Sequence, residues 1–125
     1  MTTTDTSLPL NSDLADCLDD LARVHPGIDQ IRNGIRTLAT AALTTDQTQT
    51  IAVTLAGSPD GTDVLTALAH LIQHLATPDT NPALRGLPAD WQKTTQRHGE
   101  AAAFALTDPD LHQHAAEIAA AIEGI

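Results

Sequence analysis

Aromatic side chains are nearly absent: there is no tyrosine, one phenylalanine and one tryptophan. A core of this chain therefore packs aliphatic side chains and closely approaching alanine faces, without aromatic anchors. Lysine occurs once, at Lys93, and the other basic side chains are arginines. The excess of arginine over lysine, with much alanine and threonine, is the usage that GC-rich bacterial coding produces. There is one cysteine, Cys17, so no intramolecular disulfide can form. Cys17 falls on the apolar side of a predicted helix beside Leu14, Leu18 and Leu21, where a buried thiol acting as a small hydrophobe is expected. No apolar run nears the ~18 residues of a membrane span. No basic-then-apolar leader opens the sequence, and the expected location is cytoplasmic.

Acid is in surplus. The 125 residues carry a formal charge of −10, which disfavours generic binding to nucleic acid or anionic membrane. The length is that of one domain with one core.

The hydrophobic pattern predicts an all-α, single-domain bundle of about six short helices over residues 12–125, behind a flexible tail over residues 1–11. Ser12 reads as the first cap, ahead of a helix with Leu14, Cys17, Leu18 and Leu21 on one face and Asp13, Asp16 and Asp20 on the other. Pro26 opens the second helix. Ile28, Ile31, Ile35, Leu38 and Ala42 follow at alternating three- and four-residue steps, a stripe wide enough to be core. Thr44 and Gln47 have capping-box spacing for a third helix running to Ala56 and stopping at Gly57. Ser58 to Gly61 forms a turn into a long helix, whose expected buried face is Val64, Leu68, Leu71, Ile72 and Leu75. A connection from Pro78 to Leu87 follows, then a helix from Pro88 or Ala89 through Trp91 to Leu106. Asp108-Pro109 starts the last helix. These last two helices are rich in alanine and joined by a short turn, so an antiparallel hairpin with close axes is expected.

Motifs for chemistry are sparse. His70 and His74 lie four apart on one helix, the geometry of a two-histidine metal half-site, and His114 with Glu117 would complete four ligands. The face carrying His70 and His74 also holds Asp63, Thr66 and Thr77, so surface histidines are the reading adopted and metal binding is the alternative. His98 shares a face with Trp91 and Thr94 and is expected half-buried, as a structural histidine rather than a base. The aspartates of Asp16 to Asp20 are spaced like a magnesium cluster but lack a second metal motif. The segment Asp60 to Asp63 lacks the alternating ligands of a calcium loop. No phosphate loop, nucleophile elbow or zinc cysteine pair occurs. Residues 48–71 have loose helix-turn-helix spacing, with Arg32 and Arg36 as further cations. The would-be recognition helix, however, has neither lysine nor arginine.

The functional expectation is a non-catalytic module, without cofactor, that binds another protein or a copy of itself. Its candidate surface is the long loop with Leu84, Arg85, Leu87 and Trp91, because tryptophan and arginine are enriched at binding hot spots. A histidine-carboxylate metal protein and a helix-turn-helix DNA-binding regulator are the alternatives.

Overall fold

A computed structural model describes residues 8–58 and 60–123. Most of the expected flexible tail, residues 1–7, and Pro59 of the expected turn lie outside the described residues. Among the described residues the chain is all-α: six α-helices, one π-helical turn, one 3-10 turn and no strand. Among the described residues no helix is long and apolar enough to cross a membrane. The contacts group the chain into two compact units, residues 1–44 and 45–125.

The first unit holds α1 (Ser12–Asp20) and α2 (Pro26–Thr40). Asn11 rather than Ser12 caps α1: its Oδ1 accepts from the backbone N–H groups of Asp13 and Leu14. α1 gives way to a left-handed residue, Arg23, at φ 66°. His25 caps α2, its Nδ1 accepting from the Gly27 N–H, and Pro26 fills the first turn, where no N–H partner is needed. Leu18 is fully buried, and its carbonyl accepts from Arg32 Nε. The Leu8 N–H donates to the Thr40 carbonyl, so the tail is held by backbone at that point.

Two expectations fail in this unit. Cys17 is exposed, because Leu18, its neighbour in sequence, takes the buried position on α1. No residue of α2 is buried either, and Ile31 and Leu38 stand exposed, so the isoleucine stripe is not an enclosed core.

The second unit holds α3 (Thr45–Ala52), a π-turn (Val53–Gly57), α4 (Val64–Ala76), a 3-10 turn (Pro82–Gly86), α5 (Ala89–Leu106) and α6 (Pro109–Glu123). α3 and the π-turn cover the segment expected as one helix. α4 packs against α5, while α6 packs against α3 and the π-turn. The expected hairpin of α5 and α6 is therefore absent: the chain bends at Thr107, where α5 is capped, and the two helices do not lie side by side.

The close alanine-faced hairpin exists between α4 and α5 instead. Gly99 sits so near Ala76 that an added Cβ would lie 2.3 Å from the alanine methyl. Ala69 and Ala103 are buried, and the order of these contacts along the two helices makes them antiparallel. The same device seats α6, since a Cβ on Gly57 would come within 2.7 Å of the Ala116 backbone nitrogen. Gln49 adds a bond from its amide to the Ala119 carbonyl at 3.0 Å.

Burying small faces leaves most of the large aliphatics of α4 outside, with Leu65 and Leu68 half-buried. Val64, Leu71, Ile72 and Leu75, expected in the core, are all exposed.

Candidate functional site

The second unit is joined at a point that pattern-reading overlooks. Asp63 precedes the first turn of α4 and acts as its cap, with Oδ1 accepting from the Thr66 N–H at 2.8 Å. Its other oxygen accepts from the Ser58 N–H at 3.3 Å and lies 2.9 Å from Nδ1 of His112, in the first turn of α6. The second ring nitrogen of His112, Nε2, lies 2.8 Å from the Leu106 carbonyl at the end of α5. One buried carboxylate and one imidazole therefore tie together the starts of α4 and α6, the end of α5 and the loop after the π-turn.

The partners decide what the ring can do. A carboxylate and a carbonyl are both acceptors, so both contacts are hydrogen bonds only when both ring nitrogens carry a proton. A neutral ring leaves one of them without its hydrogen. Burial of the Asp63 carboxyl works to raise its pKa, but hydrogen bonds from Thr66 and Ser58, and the charge on His112, outweigh it and hold the group below its ordinary value. Nearby, Asp60 is lowered chiefly by the Ser58 hydroxyl that donates to it, with Thr62 adding to the effect.

A cleft of about 480 Å³ runs beside this junction, lined among others by Gly57, Ser58, Thr66, Thr107, Gln113 and Ala116. Its polar groups are engaged within the protein. The Ser58 hydroxyl donates to Asp60, the Thr107 hydroxyl to the Ala103 carbonyl and the Gln113 amide to Glu117. A general base needs a free lone pair within reach of a proton, and neither nitrogen of His112 is free. The arrangement is suited to holding helices together.

The residues singled out in the sequence are placed differently. His70, His74, His114 and Glu117 are all exposed. Among the described residues no three of His, Cys, Asp or Glu are grouped to hold a metal. The two pairs are not opposed, because α4 packs on α5 and α6 packs elsewhere. His98, expected half-buried, is exposed, because the buried face of α5 is the one carrying Gly99 and Ala103.

In the long connection, Leu84 and Leu87 are half-buried and Arg85 is exposed. The Arg85 guanidinium donates to the carbonyls of Pro78 and Asp79, both at 3.0 Å. Thr80 and Asn81 donate to the carbonyls of His74 and Leu75, left open at the end of α4. Gln92 of α5 donates back to the Leu87 carbonyl at 2.8 Å. The loop is thus a shaped cap on the α4–α5 hairpin, and Trp91 stands out beside it, 64 % exposed.

The helix-turn-helix candidate places Asp60 and Asp63 at the leading end of α4, where phosphates would have to approach. Asp63 and His112 escaped the sequence reading because 49 residues separate them. The available signals were local: an aspartate immediately before an apolar helical run, and a histidine four residues after the Asp108 cap. No protein-family model, curated protein or solved structure matches this chain.

Proposed function

We propose that this protein is a non-catalytic helical module that acts by binding another protein chain. The observation that carries this reading is the exposure of large apolar side chains on a well-capped scaffold, Trp91 among them. An indole that is mostly in water, beside a loop fixed by its own hydrogen bonds, offers contact area at little cost in ordering. Leu84 and Leu87 are half-buried in the adjoining loop, and Arg85 holds that loop in shape. The alternatives have weaker support. The two ligand pairs of the metal reading lie on helices that do not pack together, and the helix of the DNA reading carries neither lysine nor arginine.

The test uses Trp91 as its own reporter, because the chain has no other tryptophan and no tyrosine. Wild-type and Trp91→Ala protein are compared as immobilised baits. A partner retained by the wild type and lost by the variant, and which when purified shifts the Trp91 emission to shorter wavelength, is the expected result. Equal recovery on both baits, with no shift in emission, removes this surface from the reading.

A further inference from the structure

α4 presents two different faces. The face against α5 includes Ala69 and Ala76, Leu65 and Leu68 are half-buried, and Val64, Leu71, Ile72 and Leu75 stand exposed. Val64, Leu68, Leu71 and Leu75 recur at steps of four, three and four residues, which sets them in one stripe of coiled-coil spacing. Val64 is 42 %, Leu71 45 % and Leu75 54 % exposed. Ala67 is exposed at the edge of the stripe.

Two observations identify what fits there. The first is charge. α4 has no Asp, Glu, Lys or Arg in its 13 residues, whereas each of the other five α-helices carries at least one acidic residue. In a chain of net charge −10, two copies repel wherever their acidic helices meet. Where α4 meets α4, the helices themselves add nothing to that repulsion. The second is spacing. Steps of four, three and four read the same in both directions along the helix. An antiparallel second α4 therefore sets Val64 opposite Leu75 of the second copy, and Leu68 opposite Leu71 of the second copy. Every contact is repeated by the two-fold axis, as an isologous interface requires.

We propose that α4 is the seam of a two-fold symmetric, antiparallel dimer of this chain. The proposal rests on the reading of the protein as an interaction module and adds a second contact face with a named partner. Three turns of one helix bury less than the ~1,200 Å² of stable complexes, so the dimer is weak and exchanges with monomer.

Sedimentation equilibrium of the full chain, run from micromolar to millimolar concentration, tests it. The expected mass climbs from monomer toward dimer. Leu71→Glu, at the centre of the seam, raises the dissociation constant at least about tenfold. Ala67→Glu, on an exposed position where folding is undisturbed, does the same by placing charge at the seam edge. Ala120→Glu, which adds the same charge at an exposed position of α6, leaves association unchanged. Leu68→Glu and Leu71→Lys chains, mixed, pair with each other more tightly than either pairs with itself, because only the antiparallel register sets these two positions face to face. A wild type that stays monomeric at every concentration overturns the seam, as does a dimer indifferent to both glutamate variants. Either result leaves the Trp91-dependent capture above to stand or fall by itself.

Discussion

At the scale of single residues, the Asp63–His112 pair shows how much of the second unit depends on two side chains. Asp63 caps α4 and receives His112, so its loss removes a helix cap and leaves a mostly buried ring without one of its two acceptors. Asp63→Ala is expected to cost roughly 2–4 kcal/mol, the sum of a lost cap and a broken part-buried pair. The acid dependence has a definite sign. The carboxyl of Asp63 lies below its ordinary value in the folded protein, so it binds a proton less readily folded than unfolded. Its contribution is complete above the unfolded value of about 3.9 and is lost as the pH falls through the lower folded value. Melting curves between about pH 5 and about pH 2 should therefore show a shallower loss of stability in Asp63→Asn than in the wild type. Parallel acid limbs in the two proteins would mean that the carboxylate is not held as its hydrogen bonds imply.

Among elements, the lesson concerns which faces were buried. Alternating steps of three and four residues marked the helices, and Pro26 and Asp108-Pro109 marked two of their starts, while the caps Asn11, His25 and Asp63 did not stand out in the pattern. Helix existence was legible because it is local. Partner choice was not, and alanine-rich composition pointed to α5 with α6 when the close pair is α4 with α5. What decides the pair is Gly99, whose missing side chain admits Ala76, and a glycine inside a helix does not say in the sequence which helix it admits. The same blindness placed the leucines of α4 inside and the Asp63–His112 junction nowhere. Two glycine substitutions separate propensity from packing. Gly34 lies within α2 with open space around its Cα, so Gly34→Ala should stabilise by about 0.5–1 kcal/mol through helix propensity. Gly99→Ala gains the same propensity but drives a methyl into Ala76, and should be net destabilising by about 1–3 kcal/mol. Thermal melts of the two variants should move in opposite directions, and a common direction would mean that the α4–α5 approach is looser than described.

For the molecule as a whole, charge is distributed to repel itself. Sixteen acidic residues face six lysines and arginines, and the ion pairs formed among the described residues are few: Arg32 with Asp29, Arg36 with Asp19, and His112 with Asp63. The Arg36–Asp19 pair is exposed and stretched to 4.0 Å, and the Arg32–Asp29 pair joins neighbouring turns of one helix, so neither stabilises by much. Salt weakens attraction and repulsion alike, but it acts most on exposed charges, and here those are overwhelmingly of one sign. The part-buried His112–Asp63 pair is screened least. Relief of repulsion therefore outweighs loss of pairing, and the melting temperature at neutral pH should rise by roughly 2–5 °C from low to ~0.5 M sodium chloride. The proposed seam adds a second consequence of the same sign, because two chains of like charge approach more readily when screened, and dimer mass in sedimentation should grow over that range. A protein whose melting temperature falls with added salt would be one held by its ion pairs, contrary to their number and exposure here.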